Sequence, residues 1–272
     1  MTTGISSSIG EIRPLPEVSI LGIPFTPVSL VQVHEVLRSW VAKRDRHYIT
    51  LVNPHSVMCA QRDESMRAAL TGSGMVLADG AGISLACKIL NYPLQSRIPG
   101  TELMVNVCDW GRADRLRHFF YGGGVGVAEE VAGHLSARFP GLSVVGVLTP
   151  PFHELSSEED AEIVERINAA EPDVVWVALG TGKQERWMLA HLSRVKAVAL
   201  VGVGAAFDFL AGRIPRAPGW MRRMGIEWGY RLVQEPRRLW RRNLDSPVFL
   251  AKVMTQKLSA SNGRNGGPHA QA

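Results

Sequence analysis

Six short apolar runs alternate with longer amphipathic segments along the chain. The runs are rich in β-branched and aromatic residues and nearly continuous, which is typical of parallel strands covered by helices on both faces. They are predicted as strands at 47–52, 75–79, 118–121, 143–148, 173–179 and 197–203. Amphipathic helices are predicted between them, for example at 56–70, 101–110, 126–138 and 157–170. Repeated βα units of this kind predict an α/β fold with a Rossmann-like, doubly wound, mostly parallel sheet.

The predicted βα units lie within one stretch, 18–212, which we interpret as a single core domain. A basic helical appendage is expected over 213–258, and the polar ends, 1–17 and 259–272, are predicted to be disordered. At 272 residues and 46% apolar composition, the chain can bury a core without disulfides. Its three cysteines lack a C-x-x-C spacing, so we expect a cytoplasmic location and neither a zinc site nor a set of disulfides.

Positive charge is concentrated in the appendage. The chain has a formal net charge of +5, but the stretch from Arg213 to Lys257 alone has 11 lysines and arginines against three acidic residues. Trp220, Trp228 and Trp240 lie among these arginines, a combination that suits the headgroup zone of an anionic membrane. The alternative is a helical arm packed on its own core. No apolar run reaches the roughly 18 residues of a membrane span, so we expect a peripheral protein. No motif indicates a nucleic-acid partner.

Glycine, asparagine or aspartate follows five of the predicted strands. The segments are NPH at 53–55, DGAG at 79–82, GGGVG at 122–126, GTGKQE at 180–185 and GAAFD at 204–208. Because ligands of such sheets bind beyond the carboxyl ends of the strands, we expect these segments to share one site. Each of them is, taken alone, also ordinary turn chemistry.

Asp79 is the strongest candidate for a catalytic group. It ends an apolar strand, and the small residues Gly80 and Ala81 that follow allow a substrate to approach closely. A partly desolvated carboxylate at this position can take a proton from an attacking sugar hydroxyl. The alternative is an aspartate that caps the next helix.

Phosphate recognition is expected at two glycine-containing segments. The run Gly122–Gly126 precedes a predicted helix, but Val127 stands where a dinucleotide motif has its last glycine, so the signal for NAD is poor. Lys183 and Gln184 are expected in the first turn of a helix, where they can meet a phosphate and a sugar group. The chain has no Asp-x-Asp motif, the pair of carboxylates that holds a divalent cation on a diphosphate in many transferases. A leaving diphosphate would therefore be stabilised without metal by arginine side chains such as Arg97, by lysine and by backbone amides.

These segments together resemble the WecG/TagA/CpsF glycosyltransferases (glycosyltransferase family 26). The resemblance extends from about Val18 to about Leu250 and rests on NPH, ADGAG, RIPGTELM, GTGKQERW, GAAFDFLAG and the arginine-rich tail. It implies a Rossmann-like core whose basic appendage brings the enzyme to the inner face of the cell membrane. It also implies an inverting reaction without metal or cofactor, from a UDP-sugar to a sugar on a polyprenyl diphosphate, in cell-surface polysaccharide or teichoic acid synthesis.

The resemblance also implies residue roles. Asp79, Arg97 and Gln184 are expected to be catalytic, with Asp79 as the base, and Asp208 is expected to contact uracil. The residues expected to bind substrate are Asn53, His55, Gly80, Thr101, Gly123, Gly180, Lys183, Glu185, Phe207, Asp208, Arg216, Arg222 and Arg223. A homo-oligomer is compatible with the sequence.

Three positions depart from the resemblance. Leu51 stands where many members have threonine, His55 where others have glutamate, and Gly182 where many have proline. These positions lie near the expected sugar site and leave the donor open among N-acetylmannosamine, its uronic acid and glucose. Two other functions also stay open: a nicotinamide-dependent oxidoreductase, which the fold and the glycine run allow, and a non-catalytic membrane adaptor, which the tail allows.

Overall fold

The computed structural model describes residues 15–93, 97–224, 227–234 and 236–265. Six parallel strands form its central sheet. They are β3 His47–Val52, β4 Met75–Ala78, β5 Arg117–Gly122, β6 Ser143–Leu148, β7 Val174–Ala178 and β8 Ala199–Gly202, and they lie in the order β4-β3-β8-β7-β5-β6. All six correspond to predicted apolar runs, so the predicted parallel α/β sheet is confirmed. A short antiparallel hairpin, β1 Val18–Ile20 and β2 Ile23–Phe25, precedes the sheet and was not predicted.

Helices connect the strands. They are α1 Leu30–Lys43, α2 Pro54–Ala60, α3 Glu64–Thr71, α4 Ala81–Leu90, α5 Gly100–Trp110, α6 Val127–Arg138, α7 Ser157–Ala169, α8 Lys183–His191, α9 Ala206–Leu210, α10 Gly219–Met224, α11 Glu227–Gln234 and α12 Pro236–Asn265. The predicted helices at 101–110, 126–138 and 157–170 are present as α5, α6 and α7 with ends shifted by a residue at most.

The single helix predicted at 56–70 is wrong, because α2 and α3 divide that stretch. Asp63 ends the continuity: its Oδ1 accepts hydrogen bonds from the backbone N–H groups of Ser65 at 2.9 Å and Met66 at 3.2 Å. Asp63 is thus the N-cap of α3, which begins as a separate helix after it. The first helix also begins earlier than predicted, because Asn53 caps it and Pro54 occupies its first turn.

The strands are buried on both faces, which explains why their sequences do not alternate in polarity. Along β7, Trp176 packs with α1, α5 and α6 on one face, while Val175 and Val177 pack with α7 and α8 on the other. A third cluster covers the β3–β4 end of the sheet with α2, α3, α4 and the hairpin. The loops at the carboxyl edge are thus held by helices from both faces.

The long helix α12 is part of this third cluster. Phe249 and Val253 are completely buried against α2 and α4. Asp245, one turn earlier, accepts a hydrogen bond from His55 Nδ1 at 2.6 Å and also pairs with Arg62. Burial alone would raise the pKa of Asp245, but the hydrogen bonds from Arg62 and His55 hold it below its usual value. The last helix is therefore fastened to the core by apolar packing and by an ion pair.

The region expected to form the appendage, 213–258, contains α10, α11 and most of α12. The helix α12 continues to Asn265, into the stretch from residue 259 that was predicted to be disordered. Within the described ranges, no helix is both long enough and apolar enough to cross a membrane.

The second residue of β5 is a buried histidine. His118 is fully buried, and its Nδ1 accepts the indole N–H of Trp176 at 3.2 Å, so the neutral ring has its proton at Nε2. Burial lowers the pKa of His118 to about 4, and the nearby charge of Asp173 opposes this only in part. Protonation of the ring thus favours the unfolded chain, in which an ordinary histidine pKa applies.

The expected consequence is acid destabilisation through His118. Because the folded pKa is depressed, its contribution to stability is complete above the unfolded pKa of about 6.5 and is lost as pH falls toward about 4. Between about pH 7.5 and about pH 5, the free energy of unfolding should fall by about 2 kcal/mol through this group. Urea unfolding at a series of pH values measures this slope.

The matched variant is His118→Asn, whose side-chain oxygen can still accept the Trp176 indole N–H but which does not titrate. It should be less stable at neutral pH, because it leaves a small cavity, yet show a flatter pH dependence. His34 and His47, whose pKa values burial also lowers, contribute equally to both proteins. A slope equal to that of the wild type would contradict the assignment.

Candidate functional site

Backbone hydrogen bonds place Asp79 beside Asn53. The N–H of Asp79 donates to the carbonyl of Val52 at 2.9 Å, which extends the β3–β4 ladder by one step beyond the strands. Asp79 is half-buried, and the N-cap of α4 is Gly80, at φ 91°, without a side-chain capping bond. The N-cap position of α4 is thus occupied by Gly80 and not by Asp79. Its carboxylate lies at the edge where the strands end.

The N-termini of α2 and α4 approach each other very closely at this edge. A Cβ added to Gly82 would lie only 2.4 Å from Cγ of Pro54, so no larger residue fits at Gly82 without moving the helices. Asn53 uses its side-chain oxygen to accept the Ser56 N–H at 3.1 Å. The side chains that start these two helices are consequently held in fixed positions.

The segment 97–100 runs along the same edge. The N–H of Ile98 donates to the carbonyl of Ala78 at 2.9 Å, which places the preceding Arg97 next to the end of β4. Farther on, a Cβ at Gly100 would lie 3.2 Å from the carbonyl oxygen of Val203, so the start of α5 packs against the end of β8. This segment therefore joins Asp79 to the loops that follow β8.

A cleft of about 540 Å³ opens beyond β8, β7 and β5. Its volume falls within the range of small-ligand sites. The predicted residues Gly123, Gly180, Lys183, Phe207 and Asp208 line it, together with Tyr121, Gly124, the loop 150–155, Ala178, Leu179, Arg186, Trp187, Gly204 and Ala205. The cleft thus lies at the ends of β8, β7 and β5 and beside the loop after β6, whereas the candidate base lies at the end of β4, on the far side of β3 in the same sheet.

Gln184 and Glu185 are buried beside the cleft, not on its surface. Gln184 is 4% exposed and Glu185 1% exposed. Glu185 Oε2 accepts the backbone N–H of Gly182 at 2.6 Å, and its Oε1 accepts Nε2 of Gln184 at 3.0 Å. Burial raises the pKa of Glu185, although these hydrogen bonds and Arg186 oppose the rise. The expected direct contact of Glu185 with substrate is replaced by contacts inside the protein.

Other predicted residues lie away from the cleft. His55 turns to Asp245 on α12, as described above, and Thr101 is buried in the first turn of α5. The guanidinium of Arg216 lies 4.0 Å from the carboxylate of Glu102 in α5. The side chains of Arg222 and Arg223 lie outside the described part of the structure.

Sequence reasoning missed the loop between β6 and α7. Phe152 in this loop is 78% exposed at the rim of the cleft, an unusual position for an aromatic ring. Tyr121 and Trp187, which lie 4.7 Å apart between ring centroids, form part of the opposite wall. The loop contains no glycine motif and no catalytic spacing. Its one signal in the sequence is Phe152, an aromatic residue between two prolines and a histidine.

A metal site needs several ligating side chains close together. Residues 15–93, 97–224, 227–234 and 236–265 contain no cluster of three or more histidine, cysteine, aspartate or glutamate side chains suited to a metal ion. None of Cys59, Cys87 and Cys108 is part of a disulfide bond.

Comparisons with known proteins identify the family. The model of the WecG/TagA/CpsF family of glycosyl transferases matches residues 18–263. A Bacillus spizizenii protein named N-acetylglucosaminyldiphosphoundecaprenol N-acetyl-beta-D-mannosaminyltransferase is 31% identical over 214 residues, which cover 79% of this chain and 81% of the relative. A Staphylococcus aureus protein of the same name is 29% identical over 252 residues, which cover 92% and 97%. The chain therefore belongs to the WecG/TagA/CpsF family of glycosyl transferases.

Proposed function

We propose that this glycosyltransferase moves a hexose or N-acetylhexosamine from a UDP-sugar to a sugar on a polyprenyl diphosphate, with inversion and without a metal ion. The observation that carries the proposal is the position of Asp79, which lies beside Asn53 and the segment 97–100 at the sheet edge that also bears the cleft. Membership of a glycosyltransferase family removes the oxidoreductase and adaptor alternatives.

The names of the relatives favour particular substrates. Both relatives are named for a mannosaminyl transfer to N-acetylglucosaminyl-diphosphoundecaprenol. We therefore propose N-acetylmannosamine as the first donor sugar to test, with N-acetylglucosamine on diphosphoundecaprenol as the acceptor. Teichoic acid synthesis is the corresponding pathway.

The proposed donor site is the cleft. Its rim offers the Phe152 ring as a face on which a uracil base can stack, and Asp208 can accept a hydrogen bond from the base. Lys183, in the first turn of α8, can meet a phosphate near the positive end of the helix. These contacts would place the diphosphate toward β8 and the sugar toward Asp79.

In the proposed reaction, Asp79 removes the proton from the acceptor hydroxyl as that oxygen attacks the anomeric carbon. The bond from this carbon to the UDP oxygen breaks on the opposite face, which inverts the configuration. Negative charge then develops on the diphosphate. Arg97 and Lys183 are the cations assigned to stabilise it, in place of a divalent ion.

The proposed location is the inner face of the cell membrane. Trp220, Trp228 and Trp240 are exposed, as are Met224 and Val233, on helices that carry nine of the 11 lysines and arginines between Arg213 and Lys257. Exposed tryptophan beside arginine is the composition of interfacial helices. Such contact would bring the cleft within reach of an acceptor whose lipid chain stays in the bilayer.

Asp79→Asn should lower the rate of sugar transfer at least about 100-fold, because the amide cannot take the proton. The affinity for UDP should stay within about two-fold, because a group acting on the acceptor contributes little to nucleotide binding. The rate is measured with a lipid-linked acceptor and the affinity by calorimetry. The matched control is Asp45→Asn, at an exposed site before β3. Near wild-type transfer by Asp79→Asn would remove Asp79 from the mechanism.

UDP should bind equally well in EDTA and in magnesium, because lysine and arginine side chains are proposed to neutralise its charge. Calorimetric titration of the wild-type protein under both conditions measures this, with NAD as the negative control. Binding that requires magnesium would refute the metal-independent mechanism. A response to NAD would reopen the dinucleotide alternative.

Trp228→Ala combined with Trp240→Ala should weaken binding to vesicles that contain anionic lipid, because two interfacial anchors are lost. Arg237→Ala should lower the same partition coefficient about five-fold at low salt, since each basic residue contributes about 1 kcal/mol. Sedimentation with anionic and with neutral vesicles measures both effects. Phe152→Ala, which removes an exposed aromatic ring at the cleft, serves as the control and should bind vesicles normally. Unchanged partitioning of the tryptophan variant would contradict the proposed role.

A further inference from the structure

The first turn of α8 contains an unpaired buried acceptor. Gln184 Oε1 is inaccessible to solvent and has no hydrogen-bond partner among the residues that the structure describes. A buried amide oxygen without a partner destabilises the folded protein. A ligand that donates a hydrogen bond to this oxygen would remove that penalty.

The amide of Gln184 has a defined orientation. A Cβ built on Gly204 would lie 3.3 Å from Oε1 and 3.8 Å from Nε2, whereas one built on Gly202 would lie 3.2 Å from Nε2. The oxygen is therefore turned toward Gly204, which lines the cleft, and the nitrogen toward the interior. A side chain at position 204 would stand within 3.3 Å of Oε1, and Gly204 leaves that volume unfilled.

Glu185 accounts for this orientation. Its Oε2 is occupied by the Gly182 N–H, and its Oε1 faces Gln184. Both Glu185 oxygens thus act as acceptors, so Gln184 presents its NH₂ group to Glu185 and its oxygen to the other side. The two ends of an amide have nearly the same shape, and without this neighbour the side chain would be free to turn over.

We infer that Glu185 is a positioning residue, which holds the Gln184 amide so that its oxygen accepts a hydrogen bond from an O–H or N–H of the transferred sugar. The sugar hydroxyls and an acetamido N–H are both groups of this kind. This inference rests on the proposed function, because it identifies the group at the end of β8 that meets the donor sugar. It adds a requirement on the sugar, which must present a donor and not an acceptor at this point.

The test is Glu185→Gln, which changes the shape of the side chain very little. The new side chain must still accept the Gly182 N–H, so its NH₂ group faces residue 184. Gln184 must then turn its oxygen inward and its NH₂ toward the cleft. A substrate O–H or N–H meets a donor there, and kcat/KM for UDP-sugar should fall about 10- to 100-fold. The affinity for UDP, which lacks the sugar, should be unchanged.

The double variant Gln184→Glu with Glu185→Gln separates orientation from helix capping. Its Glu at 184 accepts the NH₂ group of residue 185 with one oxygen and again presents an acceptor to the cleft. We expect it to recover at least about ten-fold of the lost kcat/KM. Glu162→Gln, at an exposed site on α7, is the control and should behave as wild type.

Three results would overturn the inference. They are an unchanged kcat/KM in Glu185→Gln, an equal loss of UDP affinity in that variant, and no recovery in the double variant. Thermal unfolding of each variant shows that it is folded before these comparisons are made. Failure of the proposed function is distinguishable, since wild-type protein would then transfer no sugar from any UDP-sugar at all.

Discussion

The hydrogen bonds that continue the sheet beyond its strands determine the site. The N–H of Asp79 pairs with Val52, and the N–H of Ile98 pairs with Ala78, both at 2.9 Å. These two bonds bring a carboxylate and an arginine-bearing segment to one edge, although they are separated by a whole helix in sequence. The bonds are fixed because both faces of the sheet are buried, so a shift in register would move core residues away from the helices that they pack against. The positions of the proposed reacting groups thus follow from the packing of the sheet.

The sequence predicted this edge well because local patterns are sufficient for it. Strands covered on both faces appear as continuous apolar runs, and glycine, asparagine and aspartate mark where they end. The hairpin before α1 was missed, because strands of three residues are too short to show a pattern. The break between α2 and α3 depended on the side-chain bonds of Asp63, which are visible only once the backbone turns.

Long-range contacts explain the residues whose surroundings were not predicted. His55 follows Asn53-Pro54 at a strand end and was expected to bind substrate, yet its partner Asp245 lies 190 residues later. Gln184 was expected to meet a sugar group and Glu185 to bind substrate from the first turn of a helix, because nothing in their local sequence indicates that they are buried. In both cases the deciding neighbour comes from another element, which single-sequence patterns do not reveal.

The appendage is less independent than its charge suggests. Arg213 pairs with Glu130 of α6, and Asp245 is held by His55 and Arg62 of the core. Phe249 and Val253 of α12 complete the cluster that supports α2 and α4. Those helices begin at Asn53 and just after Asp79, so α12 packs behind the candidate catalytic edge. The part of the chain proposed to touch the membrane is therefore continuous with the part that supports the catalytic groups.

Gly182 shows how a departure from the family pattern can serve the same site. Proline, found here in many members, has no N–H and requires φ near −65°, whereas Gly182 has φ 87° and donates its N–H to Glu185 at 2.6 Å. The additional donor stabilises a carboxylate that burial disfavours. A charged Glu185 in turn requires the Gln184 oxygen to face the cleft. Gly182 thus helps to fix the orientation of the Gln184 amide, whose oxygen is proposed to face the substrate. Gly182 itself need not touch the substrate.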